Sequence, residues 1–316
     1  MPRFKIRHIT RYRYESTIRD SANQIMLYPI RDAWQDVQQH QVIISGDPAV
    51  FVYEDYYGNQ VGTFSHPHPH RVLEIDSRLV ISTKPVPPPA LSGDRESLWQ
   101  ELDRFAHEAA FFDYLRQETF TALPEVEKMI AAEHVRKALP LQVAQDFCGF
   151  VYTTFAYQKG ITSVESTLDE IWRLRSGVCQ DFAHILLVML RLSKIPARYV
   201  SGYICPNKNG MRGEGATHAW VEAYLPSYGW LGLDPTNNCI VSETHVRLAV
   251  GKNYGDCAPV KGTYRGTSDH TLEVAVSVSY EDGQSTDATH EVSEPQPITN
   301  FSQNSYRRQQ EAQMQQ

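Results

Sequence analysis

The chain contains no run of eighteen apolar residues, so no membrane-spanning helix is expected. It has no Cys-x-x-Cys pair. Its five cysteines, Cys148, Cys179, Cys205, Cys239 and Cys257, are odd in number and widely spaced. That pattern excludes a disulfide scaffold, and free thiols in a reducing, cytoplasmic compartment are expected. No calcium loop of the DxDxDG kind is present. Basic residues are not in excess: 30 Lys and Arg stand against 37 Asp and Glu, a net charge of −7. Nothing there points to a nucleic-acid partner. The first residues, MPRFKIRHITRYRYES, are basic without an apolar run behind them, so a signal peptide is not expected. There is no internal repeat.

The same scarcity of paired ligands argues against a metal. Cys148, Cys179, His184, Cys205, His218, Cys239 and Cys257 are ligand types, but none has the close spacing of structural zinc. His184 follows Cys179 by five residues, so a helix would turn them roughly 140° apart. No cofactor and no metal are expected.

What is present suits a core-forming protein. The 316 residues are 41% hydrophobic and 21% charged, long enough for two domains or one with an addition. From Phe4 to Tyr14 the even positions are Phe4, Ile6, His8, Thr10, Tyr12 and Tyr14, while Arg and Lys crowd the odd ones. A period of two with one charged face reads as a half-solvated strand. Further strand candidates are 41–45, 49–54, 60–64 and 71–83, with a Gly-Asn turn in DYYGNQ. An antiparallel β domain over 1–84 is expected. A Pro-rich linker (85–94) with Pro85, Pro87, Pro88 and Pro89 then stops the strands.

From 95 the texture is helical: SLWQELDRFAHEAAFF, EVEKMIAAEHVRKAL and LQVAQDFCGFVYTTFAYQ. In STLDEIWRLRSGV, Ser166 or Thr167 caps a short helix that ends near Gly177. After the helix beginning at Cys179 the period returns to two, in 197–204, 218–225, 229–236 and 270–281. A helical cluster against an antiparallel sheet, an α+β core over 95–283, is expected. From 284 to 316 the chain is polar and reads as a flexible tail.

The stretch RSGVCQDFAHILLVML carries the first chemical signal. Phe182, Leu186, Met189 and Leu190 recur at helical spacing and form a buried face. Cys179 falls in or near the first turn, where orphan N–H groups and the helix dipole favour an anion such as a thiolate. The position suits a nucleophile as well as a small buried hydrophobe. Asp181 is a first-turn carboxylate. A thiolate needs a base, and His218 opens HAWVEAYL, where a strand would hold it on a stiff frame. Asp234 ends GWLGLD, on a strand that an antiparallel partner could bring beside the imidazole. Taken singly, His218 is also a satisfied strand histidine and Asp234 a turn residue of Asp-Pro-Thr-Asn.

Four separated motifs carry a resemblance: GVCQDFAH at 177–184, IPARYVSGY at 195–203, THAWVEAYLPSYGWLGLDPTN at 217–237 and AVGKNYGDCAPVKG at 249–262. With DYYGN at 55–59, they make the chain resemble the bacterial transglutaminase-like proteins, a group also described as cysteine proteases, over about residues 1–282. The resemblance implies a papain-like core, a cysteine-bearing helix packed on an antiparallel sheet, behind a small antiparallel β domain. It implies nucleophile, histidine and aspartate at Cys179, His218 and Asp234. Lys252, Asn253 and Cys257 depart from the family's pattern in what reads as a structural or substrate-rim element. One oxyanion donor is expected from the Cys179 backbone N–H; Trp172 and Gln158 are both candidates for the second. Gln180 orients the turn or is an ordinary N-terminal polar residue. Trp220 and Trp230 line an acyl-side groove or pack in the core.

The implied function is a cysteine-dependent hydrolase of peptide, isopeptide or related amide bonds, working through a thioester. Its alternatives are a protein-glutamine acyltransferase with an amine acceptor, and a non-catalytic binding or scaffold module. A peptide or protein substrate is expected, with no nucleic-acid or membrane partner.

Overall fold

The computed structural model of the chain describes residues 1–89, 93–130, 135–164, 166–205, 211–213, 216–266, 268–281, 289–292 and 296–298. The alternation at the N-terminus builds a single long strand, β1 (Arg3–Ile25), with Phe4, Ile6, His8, Thr10, Tyr12 and Tyr14 all buried. β2 (Gln35–Ile44), β3 (Phe51–Glu54), β4 (Gln60–His66) and β5 (His70–Thr83) follow. β3 and β4 are joined through the Gly-Asn turn, where the Asp55 carboxylate accepts the N–H groups of Tyr57 and Asn59 and Gly58 takes φ +82°.

The helical half contains α1 (Arg95–Phe105), a 3₁₀ turn at Ala109–Phe111, α2 (Phe112–Leu115), α3 (Leu123–Ile130) and α4 (Pro140–Thr154). α5 (Leu168–Leu174) starts at Thr167, whose hydroxyl accepts the Glu170 N–H while Glu170 reaches back to the Thr167 N–H. It ends at a left-handed Arg175 (φ 49°), two residues before Gly177. The reason is that Ser176–Gly177 (β7) pairs in parallel with Ala156–Tyr157 (β6), which pulls the chain out of the helix. α6 (Cys179–Leu192) runs through the middle of the larger core, buried on nearly every side except its first residues.

α6 packs on a five-stranded antiparallel sheet of order β11-β10-β9-β8-β12, built from β8 (Ala197–Ile204), β9 (Thr217–Leu225), β10 (Gly229–Asp234), β11 (Cys239–Ile240) and β12 (His245–Gly251). The expected α+β core is therefore present. A last short helix, α7 (Tyr254–Cys257), follows β12.

The C-terminal strands belong elsewhere. β13 (Val260–Arg265) and β14 (His270–Tyr280) both pair with β1 in the N-terminal nine-stranded sheet. Sequence order groups these strands with the helical half, whereas backbone pairing returns them to the first sheet. β1 is long enough to take β14 and β5 along its first half and β13 and β4 along its second. The polar tail from 284 lies outside the described residues except for β15 (Thr289–Val292) and β16 (Gln296–Ile298), which pair with β14.

The two sheets are joined at β12. Asn59 bonds the backbone of Val250, and the Gln35 amide bonds Arg247 N–H at 2.9 Å and Arg247 O at 2.9 Å. These amides satisfy an edge strand that would otherwise expose unpaired groups. Buried His8 adds a 2.9 Å bond from Nδ1 to the Tyr203 hydroxyl of β8. Among the described residues, no helix is long and apolar enough to cross a membrane.

Candidate active site

Cys179 is the first residue of α6 and is partly exposed. The chain reaches it through β7 and an extended Val178 (φ −114°, ψ −177°). Asp181 ties this entry down: its Oδ2 accepts the Val178 N–H at 2.8 Å and the Thr162 hydroxyl at 2.7 Å. Burial raises the Asp181 pKa, and those two bonds oppose the rise. A Cβ at Gly177 would overlap the Asp181 carboxylate, so the glycine of Gly-Val-Cys lets the two approach.

His218 is the second residue of β9 and Asp234 the last of β10. The β9–β10 register pairs Leu233 with Val221. Extended one step, it sets Asp234 opposite Trp220 and diagonal to His218 on one face. His218 Nε2 lies 2.8 Å from Asp234 Oδ2. The carboxylate is densely bonded: Oδ2 also accepts Asn237 Nδ2 at 2.7 Å, and Oδ1 accepts the Thr236 N–H at 2.8 Å. It is 0% exposed and His218 is 3% exposed.

Burial disfavours charge on His218, but attraction to Asp234 and to Cys179 outweighs it and pushes the imidazole up to about 10. The ring is thus an imidazolium at neutral pH. Burial alone would raise the Asp234 pKa; the His218 charge, followed by His218 and His245 hydrogen bonds, holds it well below the usual carboxylate range. With Nε2 committed to Asp234, Nδ1 is the nitrogen left for the thiol. It is buried and has no hydrogen-bond partner within normal geometry. Cys179 is nevertheless close enough for its side chain to stabilise the imidazolium. Gly213 (φ +76°) covers the same nitrogen, since a Cβ there would stand 3.2 Å from Nδ1.

The structure therefore brings Cys179, His218 and Asp234 together. The remaining candidates separate. Gln158 stays next to the cysteine turn, donating its backbone N–H to Gly177 O at 2.8 Å, with its side chain exposed. Trp172 is core: it packs against Phe155, Arg175 lies 3.4 Å over its ring, and its Nε1 is buried without a partner. Gln180 turns outward to Val164 O at 3.4 Å. Trp220 is 0% exposed and packs with Val200 and Val250, so it lines no groove. Trp230 is half-buried beside Arg198 and Tyr114. It pairs with Tyr224, six residues along β9 from His218 and so about 20 Å away, and it lines a cleft with Arg198, Tyr228 and His245. The Lys252–Asn253 segment is structural: Asn253 bonds Glu118 at 2.8 Å, and Lys252 N–H bonds Asp256 at 2.9 Å. His184 accepts the Tyr254 N–H rather than facing Cys179.

Two neighbours of Asp234 escape sequence reading. Asn237 was legible only as part of a turn string. His245, at the start of β12, places Nε2 3.2 Å from Asp234 Oδ2. No spacing signal marks it, because β12 joins the sheet on the far side of β8. Burial lowers the His245 pKa against the pull of Asp234.

The pattern of the transglutaminase-like superfamily matches residues 128–235, and that of the bacterial transglutaminase-like N-terminal region matches residues 4–82. An uncharacterized protein of Mycobacterium tuberculosis strain H37Rv is 32% identical over 294 residues, covering 87% of this chain and 92% of its own. A protein-glutamine gamma-glutamyltransferase of Pseudomonas aeruginosa is 36% identical over 94 residues, 28% of this chain and 14% of that protein. A crystal structure described as "a Putative Cysteine Protease from Cytophaga hutchinsonii" aligns with a TM-score of 0.71 over 93% of this chain and 98% of that one. Its sequence identity is 18%, so the likeness is one of fold.

Proposed function

The chain belongs to the transglutaminase-like superfamily, and from that premise we propose that it is a cysteine-dependent hydrolase of peptide, isopeptide or related amide bonds. The observation that carries the reading is the His218 ring, held at Nε2 by Asp234, with Nδ1 left unbonded and Cys179 near enough to favour its charged form. In the proposed cycle the Cys179 thiolate attacks the amide carbonyl carbon. The electrons of the C=O π bond move to oxygen, toward the backbone N–H of Cys179. As the C–N bond breaks, the His218 imidazolium gives its Nδ1 proton to the leaving amine, and a thioester remains. Water then gives a proton to His218 and adds to the thioester. The acid leaves and the thiolate is restored. Asp234 keeps the ring oriented and its charge balanced throughout. Gln158, beside the cysteine turn, is the better-placed of the two candidates for a second oxyanion donor.

Amine transfer uses the same residues, with an amine replacing water at the thioester. The glutamyltransferase among the relatives favours keeping that reading second. Five free thiols support a reducing, cytoplasmic setting. A panel of glutamine-containing peptides, incubated with and without a primary amine, tests both by product mass. Acid products that vanish in Cys179→Ala are expected; a mass shift by the added amine would promote transfer, and turnover surviving Cys179→Ala would sink both.

A further inference from the structure

We propose that His218, Asp234 and His245 form a site for one zinc-class divalent cation, whose binding draws Asp234 away from His218 and switches Cys179 off. The switch rests on the hydrolase reading; the site itself does not. One donor atom from each residue lies within 4.8 Å of the other two. Asp234 Oδ2 stands 2.8 Å from His218 Nε2 and 3.2 Å from His245 Nε2. Tetrahedral zinc, with bonds of about 2.0–2.1 Å, spaces its donors by about 3.3 Å, so the two distances to Asp234 open by about half an ångström or less and the His218–His245 pair, within 4.8 Å, closes by at most about 1.5 Å. Two imidazoles and a carboxylate are the donor set of zinc sites that keep a fourth position open.

The surroundings suit a metal. All three side chains are 5% exposed or less, so little water competes for them. His245 Nδ1 lies 3.1 Å from the Thr244 hydroxyl, and Asp234 Oδ1 is held by the Thr236 N–H. Such outer contacts orient ligands. A cleft of about 470 Å³ lined by His245, Thr244, Cys239, Asn237 and Arg212 borders the cluster on its His245 side. Asn237 Nδ2 would surrender its bond to Asp234 and keep the one to Arg212 O at 3.2 Å. On binding, the His218 imidazolium releases its Nε2 proton to solvent, while the neutral His245 ring carries its one proton on Nδ1, toward the Thr244 hydroxyl, so that both Nε2 lone pairs are offered to the ion. Asp234 is already ionised.

The experiment titrates the chelator-stripped full chain with zinc and examines the bound ion by X-ray absorption. One zinc per chain is expected, with two imidazoles and oxygen ligands. Stoichiometry should survive Cys179→Ala, and affinity should fall at least about tenfold in His245→Asn, which keeps an N–H for Asp234. Circular dichroism checks that the variant is folded. Sulfur in the first shell, or zinc lost with Cys179→Ala, would put the ion on the cysteine–histidine pair and overturn the site. No zinc retained by the unmutated chain overturns it without any variant. Iodoacetamide alkylation of Cys179 reads the switch: zinc should slow it in the unmutated chain. Zinc held by the three residues without that slowing overturns the switch. Alkylation indifferent to His218→Ala in zinc-free protein would instead count against the hydrolase reading.

Discussion

The side-chain amide of Asn59 grips the backbone of Val250 from both sides, donating to its carbonyl at 2.7 Å and accepting its N–H at 2.8 Å. Asn59 is fully buried and lies just past the β3–β4 turn, so the turn sets the position of one sheet on the other. Asn59→Ala strands two buried backbone groups. A loss on the order of 2 to 4 kcal/mol is expected in urea unfolding. A loss below about 0.5 kcal/mol would mean that water replaces the amide at little cost.

The His218–Asp234 pair predicts a specific pH dependence. The folded His218 value, about 10, lies above the 6.5 of the free side chain. Its stabilisation is therefore complete below about 6.5 and fades as pH rises through about 10. Asp234 has a depressed value, so its share is present above 3.8 and fades as pH falls through its folded value. NMR titration of His218 should show a transition near 10 that drops in Asp234→Asn. An unmoved transition would remove Asp234 as the cause.

His8 behaves oppositely. Burial lowers it to about 4, and its Nδ1 meets the Tyr203 hydroxyl. Between pH 6.5 and 4 the unfolded chain takes the proton and the folded chain does not, so stability declines across that window and levels off below it. His8→Gln should start less stable at pH 7 yet lose less between pH 7 and 4.5. Parallel losses in the two proteins would assign the acid sensitivity to other groups.

Gly177→Ala tests the cysteine turn. The added Cβ must displace the Asp181 carboxylate from Val178 and Thr162. A destabilisation of about 1 to 3 kcal/mol is expected, with slower alkylation of Cys179 as its turn loosens. Unchanged alkylation at lowered stability would show that Asp181 supports the fold and not the cysteine's placement.

Local burial is what the sequence determined. Period two in β1 is written in Phe4, Ile6, His8, Thr10, Tyr12 and Tyr14, because each strand residue faces one side by geometry alone. The same holds for the apolar faces of α6 and the Thr167–Glu170 cap, which depend on neighbours three or four residues away. The order Cys179, His218, Asp234 was legible through long motifs and through what a thiolate requires. Partnership across the chain was not. That β13 and β14 return to β1, that Trp220 sits inside and Trp230 at the far end, and that His245 meets Asp234 all follow from strand order and register. Residue periodicity is blind to these, since it records which side of a strand is covered and never by what.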